Sequence, residues 1–287
     1  RRTFFSDLRT SFSGRYLFEQ QYSTAANLGG NVLVLSGLNT ADAVIDQNSK
    51  GFGTSQALVR GIAVMGSLQL DYKDRYLLQA NLRRDGSSLF GADRRWANFP
   101  GISGSWIVSR EPWWFSKDAL SLFKLRAAYG EAGQRPNFTA QYATFGIGAG
   151  GLLVPATLGN PLLRPEVRKE AEYGVAMEFF NKYLLDVTYA DGRVVDQLLP
   201  VPLSVGTGFT SQWQNAGTLR NRSLEISLDV PLINKRNFTW SSRVIYDRLR
   251  TRIQDLGVAP YFTGPGLQGA DAVFRIANGE EMGAIYG

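Results

Sequence analysis

Residues 223–230 read Ser-Leu-Glu-Ile-Ser-Leu-Asp-Val. The even positions, Leu224, Ile226, Leu228 and Val230, are all apolar, and the odd positions, Ser223, Glu225, Ser227 and Asp229, are all polar. A period of two belongs to a strand with one apolar face. The same alternation runs through Glu172–Phe179, where Tyr173, Val175, Met177 and Phe179 oppose Glu172, Gly174, Ala176 and Glu178. In Ile62–Tyr72 it sets Ile62, Val64, Leu68, Leu70 and Tyr72 against Ser67, Gln69 and Asp71. In Phe238–Tyr246 it sets Phe238, Trp240, Val244 and Tyr246 against Thr239, Ser241 and Arg243. Further strands are predicted at about 76–85, 99–110, 122–130 and 183–190, with a less regular one through Phe12–Phe18, for about nine or ten in all. Helical periodicity is weak, and only 113–121 could hold a short helix.

The connections alternate in length as well. Short ones are expected at Lys73–Arg75, Asn181–Lys182 and Pro231–Arg236, with a middling one at Glu111–Ser121. Long ones are expected at 86–98, 131–171, 191–222 and from about 254 onward. An antiparallel meander gives this pattern when short turns share one end and long loops the other, as in outer-membrane barrels. Tyr72, Tyr76, Phe179, Tyr183, Phe238 and Trp240 flank the short turns. Rings at one height suit an interfacial girdle. A soluble β-sandwich with the apolar face as its core remains the alternative. Strand length argues for the barrel, because several runs reach ~9–11 residues, enough to cross a membrane at a tilt.

Composition removes whole classes of chemistry. The 287 residues contain no cysteine and no histidine. Disulfides, zinc fingers, iron–sulfur sites, Ser-His-Asp triads and His-ligated metals are excluded. No metal or cofactor is expected, and no catalytic residue is assigned. The formal charge of +6 invites a nucleic-acid reading. That reading needs Lys and Arg clustered on one face, whereas here Arg is spread along strands and loops among acids. No run approaches ~18 apolar residues, so no transmembrane helix is expected. The first residue is Arg, and the last five, Gly283–Gly287, carry no terminal signature. The chain reads as a piece of a longer protein.

The segment from Asp71, DYKDRYLLQANLRRDGSSLFGADRRWANFPGISGSWIVSREPW, resembles the barrel of the SusC/RagA family of TonB-linked outer-membrane transporters. Four further blocks follow in the family's order. Phe123-Lys-Leu-Arg-Ala-Ala-Tyr-Gly-Glu-Ala-Gly-Gln134 is similar to its "LKLR-SYG--GN", and Asn160-Pro-Leu-Leu-Arg-Pro-Glu166 to its "NP-LKWE", with Pro165 in place of Trp. Gln214–Leu228 is similar to "NVG---NKGVE--L", and Asn278–Gly287 to "G-PIG-FYG". The resemblance covers about residues 55–287.

The resemblance implies an all-β, antiparallel transmembrane barrel segment, about nine or ten strands of a roughly 22-stranded transporter. Residues 1–287 would be a partial barrel, with the plug domain and the C-terminal strands outside it. It implies TonB-dependent uptake of oligosaccharide, or less often peptide, at the outer membrane of a Gram-negative, Bacteroidetes-like cell. The implied partners are a SusD-like surface lipoprotein, the TonB–ExbB–ExbD complex acting through the plug, and outer-membrane lipid. The alternatives are a signal-transducing receptor on the same barrel, or a non-catalytic carbohydrate-binding β-protein.

Expected lipid-facing residues are Leu68, Leu70, Tyr72, Tyr173, Val175, Phe179, Leu224, Ile226, Leu228 and Trp240. Arg83, Lys124, Arg126, Glu172, Glu178, Asp186, Glu225, Asp229, Arg243 and Asp247 alternate with apolar positions and point inward. Carboxylates recur there on strand after strand with cations beside them, which fits a wet lumen better than a glycosidase pair. The long loops hold Trp96, Phe138, Tyr142, Phe145, Phe209 and Trp213. Of these, Trp96, Tyr142, Phe209 and Trp213, with Arg94 and Arg95, are candidate substrate contacts, since rings can stack on sugar C–H faces. The plainer reading is that such rings pack the loops together. Gly146–Gly151 formally matches G-x-G-x-x-G but lacks the βαβ context that a dinucleotide site needs, and reads as a flexible loop. Asn137, Asn221 and Asn237 fit the glycosylation pattern and are inert in a bacterial outer-membrane setting.

Overall fold

A computed structural model of the chain describes residues 2–5, 7–29, 51–147, 152–264 and 274–285. Gly148–Gly151 of the glycine run lie outside them. Ten strands form one antiparallel sheet in the order β1–β2–β3–β4–β5–β6–β10–β11–β14–β15. Their ranges are β1 Arg2–Phe5, β2 Leu8–Gly29, β3 Gly51–Tyr72, β4 Tyr76–Ser87 and β5 Trp96–Ile107. The rest are β6 Leu120–Gln134, β10 Glu166–Phe179, β11 Tyr183–Val195, β14 Thr218–Lys235 and β15 Phe238–Asp255. Seven short strands lie in the loops: β7 Phe145–Ile147, β8 Leu153–Pro155, β9 Thr157–Leu158, β12 Leu198–Pro202, β13 Ser211–Asn215, β16 Tyr261–Thr263 and β17 Phe274–Ile276.

Every wall strand pairs with its chain neighbour in the wall, as the alternation of short and long connections requires. Short turns join β1–β2, β3–β4, β10–β11 and β14–β15 at one end, where 108–119 also joins β5 to β6. The long connections lie at the other end. Two short turns use the left-handed region without glycine: Lys73 (φ 56°) with Asp74 (φ 54°), and Phe180 (φ 55°) with Asn181 (φ 53°). Paired left-handed residues match the twist of the flanking strands. In each turn the first such residue is held from outside its hairpin. Lys73 N–H donates to Asp7 O at 2.8 Å, and Phe180 N–H donates to Ala119 O at 3.1 Å.

Three local expectations are corrected. The last short turn is only Arg236–Asn237, and Pro231 sits inside β14. Pro231 cannot donate to the ladder, and the register shifts between it and Ile233, a bulge that absorbs the missing bond. The loop expected at 86–98 shrinks to 88–95, because β4 and β5 stay paired as far as Gly86 and Trp96. No helix forms over 113–121. Turns run there instead, and the Trp114 ring stacks on Phe123 at 5.7 Å.

Residues opposite each other across a ladder share a face. One unbroken row runs Leu8–Tyr72–Tyr76–Trp106–Leu125–Val175–Val187–Ile226–Tyr246. The row beside it, on the other face, runs Arg9–Asp71–Leu77–Ser105–Arg126–Gly174–Thr188–Glu225–Asp247. The wall therefore has an apolar and a polar side. Nothing among the described residues covers the apolar side: Tyr173 is 57%, Leu82 54% and Val244 59% exposed. A sandwich would bury that face, and among the described residues no second sheet packs on it. All ten residues expected to face lipid lie on it, Trp240 after the bulge re-phases β14 through the pair Ile233–Trp240. Among the described residues a cluster of buried apolar side chains forms on the inward face at the long-loop end. There Leu219, Ile253, Leu256 and Ile276 are buried together.

Candidate functional site

The long loops form an interlocked layer. Strands β12 and β13 come from the 196–217 loop and β9 from the 135–165 loop, and together they make one three-stranded sheet. Asn215 is its main staple. Its Oδ1 accepts from Arg164 N–H at 2.8 Å, and its Nδ2 donates to Arg164 O at 2.8 Å and Asp196 O at 3.0 Å. Asn160 Nδ2 donates to Trp213 O at 2.9 Å, and its Oδ1 accepts from Leu162 N–H at 3.1 Å. Arg164 adds an ion pair to Asp196 at 2.7 Å, and Leu163 between them is fully buried. The 88–95 loop joins through Gln141 Nε2, which donates to Ser88 O at 3.0 Å. A Cβ on Gly91 would overlap Pro161 O, so only glycine allows that approach.

This layer places the sequence candidates. Phe209 is half-buried, with its ring 6.0 Å from Phe145. Trp213 is half-buried within β13, and its backbone pairs with Pro200. Tyr142 stays 55% exposed, 6.3 Å from Phe138. Arg94 and Arg95 are exposed beside β5. Trp96 falls elsewhere: it opposes Gly86 in the row Phe18–Ile62–Gly86–Trp96, on the apolar side. Its ring lies over Gly86, and the Arg84 guanidinium sits 5.3 Å from the ring centroid. The six candidates do not converge on one pocket.

Below the loops the inward face is polar and ionically linked. Arg126 on β6 reaches over Gly174 on β10 to Asp186 on β11, with Nη contacts of 2.8 and 2.6 Å. It also bonds Thr188 and stands 3.9 Å from Glu172. A Cβ on Gly174 would overlap the Arg126 side chain. Arg243 pairs with Asp229, and Arg83 with Asp85. Two depressions of about 480 and 260 Å³ lie along this face, shared by Gln79, Ser103 and Glu172. Paired charges of both signs beside open polar grooves make a surface for solute and water.

At the short-turn end the rings Tyr72, Tyr76, Trp106, Trp113, Trp114 and Phe123 follow one another at centroid spacings of 5.7–6.4 Å. Glu111 is buried among them. It accepts from Tyr76 Oη at 2.6 Å, Trp106 Nε1 at 3.0 Å and Arg75 Nη1 at 3.2 Å. These donors, the Tyr76 hydroxyl foremost, hold its carboxyl below the usual glutamate range against the opposing effect of burial. Pattern reading singled out neither Glu111 nor the two asparagines. The only signal available was their place inside the resemblance blocks, because partners 35 to 53 residues away leave no periodicity.

Comparison with known proteins agrees with this architecture. A family model described as "TonB dependent receptor-like, beta-barrel" matches residues 2–277. A TonB-dependent receptor of Formosa agariphila is 30% identical over 256 residues, covering 87% of this chain and 24% of that protein. The TonB-dependent receptor SusC of Bacteroides thetaiotaomicron is 31% identical over 195 residues, covering 62% of this chain and 19% of SusC. Among solved structures, the RagAB peptide transporter superposes with a TM-score of 0.80 at 19% identity, covering 97% of this chain and 31% of that one. The chain thus spans about a quarter or less of the length of these curated relatives. With the family match running through all ten wall strands, this chain belongs to the TonB-dependent receptor-like β-barrel family.

Proposed function

We propose that this chain is part of the barrel wall and extracellular loops of an outer-membrane importer that takes up oligosaccharide by TonB-dependent transport. The observation that carries the reading is the two-sided wall topped by an interlocked loop layer. Its apolar side meets lipid, its polar side lines the path, and the loops meet substrate. A SusD-like lipoprotein would cover the loops, and TonB would act through a plug that is not among these residues. Tyr142, Arg94 and Arg95 are the exposed candidates for substrate contact. Phe209 and Trp213 support the layer from half-buried positions, and Trp96 belongs to the outward rim. A peptide substrate is the second reading, favoured by the superposition on a structure described as a peptide transporter.

The test is growth of a strain lacking the full-length gene on single glycans and on peptides as sole carbon source. Loss of growth on a glycan, restored by wild type and weakened by Tyr142→Ala, supports the oligosaccharide reading. Loss confined to peptides replaces it with the second. Unchanged growth and uptake on both removes the importer reading.

A further inference from the structure

On the apolar side, just beyond the apolar band, Lys169 on β10, Arg193 on β11, Arg220 on β14 and Arg252 on β15 stand opposite one another in a single ladder row. In the row one step nearer the short turns, Arg222 opposes Arg250. Like charges directly opposite each other destabilise a sheet. Local acids offset only part of this. Asp191 serves both Arg220 and Arg222, Glu131 pairs with Lys169 at 3.3 Å, and Glu281 pairs with Arg252 at 3.3 Å. Arg250, and Arg248 below it, are exposed and form no ion pair among the described residues.

Height identifies what this patch meets. The girdle pair Ile233–Trp240 marks the short-turn edge of the apolar band. Strands rise ~3.3 Å per residue and tilt by about 40°; counted along unbroken β15 from Trp240, the Arg222–Arg250 pair lies about 25 Å and the Arg220–Arg252 pair about 30 Å above the girdle. The apolar band of such barrels is about 25 Å tall. The cations therefore gather at the edge of the hydrocarbon, on the lipid side of the wall and at its long-loop end; Arg248 starts about 20 Å up, and its long side chain can reach past that edge. A guanidinium there faces headgroups, and its planar fork fits phosphate oxygens.

We propose that this outward patch binds the phosphate-bearing headgroup of a glycolipid of the outer leaflet. Arg193 and Arg250 would supply direct contacts, with Arg220 and Arg222 oriented by Asp191. The inference rests on the outer-membrane placement proposed above. The two fail differently: a wrong placement leaves the protein out of the outer-membrane fraction, whereas a wrong site leaves it there without bound lipid.

The test uses the full-length transporter in phosphatidylcholine bilayers, with or without phosphorylated lipid A, beside Arg193→Gln/Arg250→Gln and the charge-preserving Arg193→Lys/Arg250→Lys. The readouts are thermal unfolding and lipid retained after detergent extraction. Lipid A should raise the wild-type melting temperature. Retention should fall about tenfold or more in the Gln variant and less in the Lys variant. Heat-modifiable migration shows that each variant is folded, and if the Gln variant is not, the Lys variant alone decides. An equal effect of lipid A on wild type and variants, no effect on wild type, or the same shift from inorganic phosphate alone would overturn the proposal. So would cross-linking of an acidic protein to Arg193 and Arg250 in intact outer membranes, in place of lipid.

Discussion

Replacing Leu228 with Arg tests the assignment of faces most directly. Leu228 lies in the row Met177–Leu185–Leu228–Val244, flanked by apolar side chains on both neighbouring strands. Its partner Val244 is four residues from Trp240, which places the pair about 10 Å above the girdle, close to the middle of an apolar band of about 25 Å. A cation at the midplane of a barrel's lipid face costs about 2–4 kcal/mol. Ile226, at about 15 Å by the same geometry, lies as near the midplane and should pay a similar cost when changed to Arg. Glu225→Arg supplies the inward control. It puts the same cation on the polar side opposite Asp247, where the change should stay within about 0.5 kcal/mol. The assay is urea unfolding of the full-length protein from lipid vesicles, with free energies from linear extrapolation. Equal costs at 228 and 225, or a greater cost at 225, would refute the assignment of faces.

Three further outcomes are expected. Gly174→Ala should destabilise the wall by about 1–3 kcal/mol through overpacking against Arg126, and less in an Arg126→Ala background, as a double-mutant cycle in vesicles would read. The Glu111 carboxyl is held low in the fold, so its contribution is complete above the ordinary glutamate value of ~4.3 and is lost as pH falls through the lowered folded value. Acid unfolding followed by tryptophan fluorescence should therefore begin at higher pH in Tyr76→Phe, which removes the chief donor, and Glu111→Gln should lose this dependence. Asn215→Ala removes two hydrogen bonds that tie the two loops together and a third within the 196–217 loop. It should loosen the layer by about 1–3 kcal/mol, seen as faster trypsin cleavage within 135–165 and 196–217 while the barrel itself stays resistant.

The wall was legible because a half-buried strand writes its face into every second residue, and Ser223–Val230 does so without exception. Strand ends were less so. Pairing continues for as long as a partner strand is present, and so β4 and β5 run beyond the loop boundary that Gly86 suggested. Pro231 suggested a turn, and the bulge that accommodates it depends on β15. The loop layer was the least legible part. Asn160 meets Trp213 across 53 residues of chain, and Phe145 meets Phe209 across a similar span. No local period encodes such a contact. The rings proposed to touch sugar were partly rings that hold loops together.

The clamped turns bear on the order in which the wall is assembled. A non-glycine residue in the left-handed region costs about 1–2 kcal/mol, and aspartate or asparagine less. Phe180 has no such relief, and its amide is held by the connection that precedes β6. An isolated β10–β11 hairpin would thus carry its strain without its support. That strain disfavours the turn as the place where the hairpin starts to close. Zippering begins in the ladder, and the turn settles only when the preceding hairpin has docked. At these two points of the short-turn rim, the 73–74 turn and the 180–181 turn, the connection that comes earlier in the chain supplies the support for the later turn.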